Sequence, residues 1–206
     1  MSSKVENEQS ELTSSQRILE RAIQVIEESG EAAIRTNPIA FECGVTPPIL
    51  YRAFGSREGL IIAAQAERYR RSTSESFEFL KRYIDEATSR EALYKNISET
   101  FDFIFGEGRA ANRRLRAEVI GSSVSRPALR DELLRVDREY ASLIVMAYQK
   151  AFQNGWISST KNHDVIALWA QGLINSRYMF DEDGDVARGA AWNELTRRAI
   201  LDAIFD

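Results

Sequence analysis

The chain has 206 residues, 44% hydrophobic and 28% charged, with four prolines and a net charge of −4. This composition excludes a disordered polypeptide, which lacks apolar residues, and a general nucleic-acid coat, which relies on a large positive surface. No apolar run is long enough to span a bilayer, residues 1–8 lack the basic-then-apolar order of a signal peptide, and the single Cys43 cannot form an internal disulfide, so a cytoplasmic location is expected.

Residues 1–12 are polar and without period, and read as a frayed arm. The first helix is announced by Thr13-Ser14-Ser15-Gln16, a capping-box spacing, and carries Ile18, Ala22, Val25 and Ile26 before Gly30. A short helix is expected over 37–42. Cys43-Gly44 then supplies a small residue and a glycine for a sharp turn, with Val45 plugging the angle. Thr46 reads as an N-cap, and Pro47 and Pro48 fit the first turn of a helix over 47–54, where missing N–H groups lose no intrahelical partner. On that helix Ile49, Leu50 and Phe54 form an apolar backing, while Thr46, Tyr51 and Arg52 offer hydroxyl and guanidinium donors. Ser56 caps a long fourth helix with Glu58 in its first turn and Leu60, Ile61 and Ala64 facing the three-helix core.

These residues carry a resemblance. Arg17-Ile18-Leu19, Ala22, Gly30, Thr36, Ile39-Ala40, Gly44-Val45-Thr46, Leu50-Tyr51, Phe54, Ser56-Arg57-Glu58 and Leu60 resemble, in residue type and spacing, the DNA-binding domain of the TetR family of one-component transcriptional regulators. The rest of the chain shows no comparable signature. The resemblance implies that the second helix of the motif enters the major groove while the first crosses the backbone. Thr46, Pro47, Pro48 and Arg52 would then face the groove, Tyr51 and Arg57 would meet phosphates, and Arg35 and Thr36 the flanking backbone. The sequence departs from the family pattern at Pro38 and at the tandem Pro47-Pro48. The tandem prolines can press on a thymine methyl but cannot donate to a base, which leaves Arg52 as the direct reader. Residues 1–57 hold more acidic than basic side chains, so DNA binding would rest on where Arg35, Arg52 and Arg57 point.

Beyond the motif the periodicity stays helical. The polar run 72–76 is compatible with a kink, and Phe77, Leu80, Ile84 and Ala87 resume the stripe. Ser89 caps a helix bearing Leu93, Ile97, Phe101, Ile104 and Phe105, which stops at Gly106-Glu107-Gly108. A shorter helix with Leu115, Val119 and Ile120 ends near Gly121. Pro127 opens a long helix with Leu129, Leu133, Val136, Tyr140, Leu143 and Ala147, closed by Gly155. Asn162 caps a helix with Val165, Leu168, Trp169, Gly172, Leu173 and Tyr178, and a last helix starts near Val186. The expected fold is all-α with about nine helices: a flexible arm at 1–12, a helix-turn-helix DNA-binding head at 13–58, and a larger effector-binding and dimerisation body at 59–206.

In the body the resemblance implies an effector cavity and a two-fold dimer reading a near-palindromic operator. Phe101, Phe105, Leu115, Val119, Tyr148 and Trp156 are candidate lining residues, against the plain alternative that they fill the core. Their aromatic and aliphatic character suggests an apolar or aromatic small-molecule effector, with Glu118 and Asn175 as polar anchors. Trp169, Gly172, Leu173, Ile200 and Ile204 are candidate dimer-interface residues, against an internal role. The expected function is transcriptional regulation, repression released by the effector; the alternative is an all-helical small-molecule-binding protein or enzyme in which the motif only packs. No catalytic residue, cofactor or metal is assigned. His163 beside Asp164 reads as solvent-facing, Asp181, Asp183 and Asp185 lack the later ligands of a calcium loop, and Cys43 fits as a small packing residue.

Overall fold

The computed structural model describes residues 13–157 and 162–205, and the arm expected at 1–12 lies outside them. Among the described residues there are ten α-helices, two 3-10 turns and no strand. The chain forms two compact units that divide inside the fourth helix, at Arg68 and Tyr69.

The head unit contains α1 (Ser14–Ser29), a 3-10 turn (Glu31–Ala33), α2 (Thr36–Glu42), α3 (Pro47–Phe54) and the first part of α4 (Arg57–Glu86). The capping box forms as the sequence predicts: Thr13 Oγ1 accepts from the Gln16 N–H at 3.2 Å, and Gln16 Oε1 accepts from the Thr13 N–H at 2.8 Å. Ile18, Ala22, Ile23 and Ile26 of α1 meet Ile34, Ile39, Ala40 and Leu50 in one buried cluster, closed by Leu60, Ile61 and Ala64 of α4. Ile23 holds the core position, and Val25 is only half-buried against it. Because the first turns of α4 supply three core side chains, the head extends past the expected boundary at residue 58.

The turn of the motif ends α2 with two crossed hydrogen bonds, Val45 N–H to Ala40 O at 2.9 Å and Gly44 N–H to Phe41 O at 3.0 Å. Gly44 sits at φ +66°, the left-handed conformation that this helix ending needs and that a side chain disfavours. Val45 packs on the buried cluster and fixes the angle between α2 and α3.

The body unit contains the rest of α4, α5 (Arg90–Phe105), a 3-10 turn (Glu107–Arg109), α6 (Ala110–Ser123), α7 (Pro127–Gln153), α8 (His163–Ser176), α9 (Tyr178–Asp183) and α10 (Val186–Phe205). Three expectations change here. The polar run 72–76 does not break α4, because the Ser72, Thr73 and Ser74 hydroxyls donate to the carbonyls of Tyr69, Arg70 and Arg71 at 2.7–2.9 Å and so satisfy themselves inside the helix. Gly121 lies within α6, which runs on to Ser123. The chain after Asn162 forms two helices, since a turn at Arg177 separates α8 from α9.

The helix ends of the body are tied by long side chains. Lys150 Nζ donates to the Ile84 and Asp85 carbonyls at the end of α4, at 2.7 and 2.9 Å, and Arg90 donates to Trp156 O and Phe205 O. Ser89 and Asn162 cap α5 and α8 as expected. No helix among the described residues is long and apolar enough to cross a membrane.

Candidate functional site

The packing of α3 decides which of its side chains remain on its outer face. Leu50 is fully buried, and Ile49 and Phe54 are half-buried, so the backing seen in the sequence faces the core. Thr46, Pro48, Tyr51 and Arg52 are exposed, and the helical spacing of Pro48, Tyr51 and Arg52 puts them on one face. Pro47 is half-buried, which makes Pro48 the more accessible apolar contact.

Thr46 has the backbone of an N-cap, but its side chain accepts no capping hydrogen bond. The reason is local. Pro47 and Pro48 have no N–H to offer, and the next one, on Ile49, donates to the Thr46 backbone carbonyl at 2.9 Å. The Thr46 hydroxyl is therefore not used as a cap.

Tyr51 Oη lies 3.0 Å from Thr36 Oγ1, which joins the recognition helix to the start of α2 and aligns the two hydroxyls. Arg35 donates through Nη1 to the Ala32 and Ile34 carbonyls at 2.6 and 2.9 Å, and Arg57 donates to the Ile34 and Glu31 carbonyls, each at 2.9 Å. Both arginines thus close the loop between α1 and α2, each keeping further N–H groups for an anion. Arg52 makes no hydrogen bond or ion pair among the described residues. By contrast, Arg21 pairs with Glu42 and Glu28, and Arg68 with Glu27, so these acidic groups are compensated away from Arg35, Arg52 and Arg57. Pro38 lies in the first turn of α2, where its missing N–H breaks no helical bond. Cys43 packs beside the head core with its Sγ 3.5 Å from the Arg17 carbonyl, and burial pushes its thiol up, away from thiolate chemistry.

The body holds an apolar cavity of about 30 Å³, room for little more than one water. Leu93, Ile97, Phe101 and Ile104 of α5 line it, with Tyr148 of α7 and Ile200 and Ile204 of α10. Of the candidate lining residues, Phe101 and Tyr148 border the cavity. Phe105 and Trp156 pack in the surrounding core, and Val119 is buried elsewhere on α6. Leu115 is half-buried and Glu118 exposed; neither lines the cavity. Asn175 is half-buried and also lies outside the lining.

His163 does not face solvent as expected. Its ring stacks on Tyr148 with centroids 3.8 Å apart, while the Tyr148 hydroxyl donates to Ala203 O at 2.6 Å and burial pushes that phenol up to about 12. The three aspartates are held by arginines: Asp181 by Arg113 and Arg177, and Asp183 and Asp185 by Arg188.

Two of the candidate interface residues are corrected by their orientation. Ile200 and Ile204 are 1% and 5% exposed and line the protomer's own cavity, because that side of α10 faces α5 and α8. Val165, Leu168 and Trp169 are the exposed large apolar residues of α8, where Gly172 is also exposed and Leu173 half-buried, and Val186 and Leu195 are those of α10.

Comparison with known proteins agrees with this geometry. Residues 18–64 match the family described as bacterial regulatory proteins, tetR family. A search of curated proteins returns no match. Among solved structures, a TetR-family transcriptional regulator from Rhodococcus sp. is 23% identical, with a TM-score of 0.63 over 94% of this chain and 98% of its own. GusR of Salmonella enterica is 20% identical, with a TM-score of 0.68 over 95% and 97%. FadR of Bacillus subtilis, solved in complex with stearoyl-CoA, is also 20% identical, with a TM-score of 0.56 over 92% and 97%. The head carries the tetR-family helix-turn-helix, and the chain as a whole has the all-α fold of TetR-family transcriptional regulators.

Proposed function

We propose that the chain is a DNA-binding transcriptional regulator, a repressor that works in the cytoplasm and is released from its operator by a small molecule bound in the body. The observation that carries this reading is the exposed face of α3, where Thr46, Pro48, Tyr51 and Arg52 stand together inside the stretch that matches the tetR-family model. On that face Arg52 reads a base edge and Pro48 contacts a thymine methyl. Tyr51, Thr36 and the remaining N–H groups of Arg35 and Arg57 position the phosphates.

The functional unit is a homodimer. The apolar surface of Val165, Leu168, Trp169 and Gly172 on α8, with Leu195 on α10, supports a second copy as its occupant. Two-fold symmetry then places two recognition helices on the half-sites of a near-palindromic operator. The effector, apolar or aromatic in its main body, enters by repacking the nearly closed cavity, and α4 couples it to the head because this one helix runs through both units. Such a ligand shifts DNA affinity only if it prefers one arrangement of the dimer over the other.

The test is selection of binding sites from random duplex DNA with the purified chain, followed by gel shift. The expected outcome is one enriched, near-palindromic motif of about two helical turns. A selection that returns no motif overturns the reading in favour of an all-helical binding protein whose motif only packs.

A further inference from the structure

In the body unit, buried polar groups of four helices converge without saturating one another. Tyr69 of α4 donates to Asp137 Oδ1 of α7 at 2.7 Å, and Gln171 Nε2 of α8 donates to the same oxygen at 3.3 Å. The Arg116 guanidinium of α6 lies over the Tyr69 ring, 5.4 Å from its centroid. Arg116 is 8% exposed and Gln171 is 5% exposed. Nevertheless Arg116 Nε and Nη2, Gln171 Oε1 and Asn175 Oδ1 are shielded from solvent and have no hydrogen-bond partner among the described residues.

Arg113, one turn earlier on α6, shows what the missing partner looks like. Its Nε and Nη2 form a side-on fork around the Asp181 carboxylate, at 2.6 and 2.9 Å. The same two nitrogens of Arg116 are the ones left empty. A planar anion with two oxygens fills such a fork with parallel, charge-assisted hydrogen bonds, and a single hydroxyl or carbonyl does not. Asp137 is close enough to interact with the Arg116 charge, but neither of its oxygens accepts from Arg116 Nε or Nη2, so charge is matched while these donors are not.

The unmatched acceptors add a second requirement. Gln171 and Asn175 stand one turn apart on α8, and their free oxygens call for a donor on the same ligand. The neighbours supply a third. Tyr140, one turn beyond Asp137, and Ala170 and Ile174, which flank Gln171, line the apolar cavity.

We propose that Arg116, Gln171 and Asn175 form the polar end of the effector site and that the ligand is a small amphipathic carboxylate bearing a hydroxyl or amino donor near its carboxyl group. This rests on the reading of the body as an effector-binding unit. Arg116 grips the carboxylate side-on, Gln171 and Asn175 accept from the adjacent donor, and the apolar part of the ligand expands the cavity.

Matched pairs of probes test this by calorimetric titration into the full-length chain: 2-hydroxyoctanoate against octane-1,2-diol, and 3-phenyllactate against 3-phenylpropane-1,2-diol. At least one acid should bind about 30-fold or more tightly than its diol, as two charge-assisted hydrogen bonds require. Arg116→Met should abolish that preference, and Arg116→Lys, which keeps the charge without the fork, should retain only a small part of it. Neither acid binding, equal binding of acid and diol, or an Arg116→Met chain that keeps the preference would each overturn the proposal. The comparison within the wild-type chain stands even if Arg116→Met does not fold. Operator binding without ligand, measured in parallel, separates the two readings. Intact operator binding without acid preference overturns this proposal alone, and acid preference without operator binding supports it while counting against the DNA-binding role.

Discussion

Arg52 in the head stands in water, whereas Arg113, Arg116 and Arg177 in the body are buried. The proposed function accounts for the difference by the size of the partner that each unit would meet. A DNA duplex cannot enter a protein, so a DNA-binding head would carry its reading cation on an exposed helix face, where Arg52 stands with Arg35 and Arg57 anchored on backbone carbonyls. A small ligand can be enclosed, so the body can take guanidinium groups out of water, provided each finds an anion or a π face. Arg113 and Arg177 find Asp181, and Arg116 finds the Tyr69 side chain and the nearby charge of Asp137.

Breaking the enclosed pair should have the largest effect. Asp181→Ala removes the shared anion of Arg113 and Arg177, whose side chains are 5% and 9% exposed, and should destabilise the chain by about 3–5 kcal/mol in urea unfolding, since it strands buried charge. The same pair has a pH signature. Burial pushes the Asp181 carboxyl up, but the Arg113 and Arg177 guanidinium groups more than offset this and hold it below the usual carboxylate range. Its folded pKa therefore lies below its unfolded pKa. Its stabilisation is complete above the unfolded value of about 4 and is lost as pH falls through the folded one. The stability gap between wild type and Asp181→Ala should shrink in acid and stay constant from about pH 5 upward.

The displayed cation should matter in a different measurement. Arg52→Ala should weaken binding to the selected operator by about 1–3 kcal/mol in fluorescence anisotropy and relax preference at one base position. Its unfolding midpoint should not move, because Arg52 is exposed and engages no neighbour. Equal affinity of wild type and variant would remove Arg52 from the reading face.

The smallest effects sharpen the contrast between a threonine that caps and one that does not. Thr13→Ala should lower stability by about 1 kcal/mol, because its hydroxyl closes the capping box of α1. Thr46→Ala should stay within about 0.5 kcal/mol of wild type in the same unfolding experiment and weaken operator binding instead. A large loss of stability in Thr46→Ala would show that the hydroxyl works inside the fold.

The head was legible because its signals are local. A capping box, a glycine at a left-handed turn, two prolines in a first turn and the buried face of α3 each follow from residues within a few positions of one another. The exposed face of α3 is a matter of spacing along one helix, so the exposure of Pro48, Tyr51 and Arg52 follows from the sequence, while the half-burial of Pro47 does not. The anchoring of Arg57 was not visible, since its carbonyl partners at Glu31 and Ile34 are distant in the chain.

In the body the periodicity located the helices but could not choose between their faces. Ile200 and Ile204 read equally well as interface or core, and only the packing of α10 turns them inward. Arg116, Asp137 and Gln171 come from three helices, and each looks like an ordinary surface residue in sequence. The signal that could have raised Arg116 is its place three residues after Arg113 and three before Val119, on the stripe of α6 that is buried.

The hydroxyls of Ser72, Thr73 and Ser74 leave α4 unbroken but uneven. They compete for the carbonyls of Tyr69, Arg70 and Arg71, which also accept the amide protons of the following turn. A carbonyl shared between a hydroxyl and an amide holds the amide proton less tightly, which lowers the cost of local opening there. The hydroxyls thus loosen the middle of a 30-residue helix locally without interrupting it.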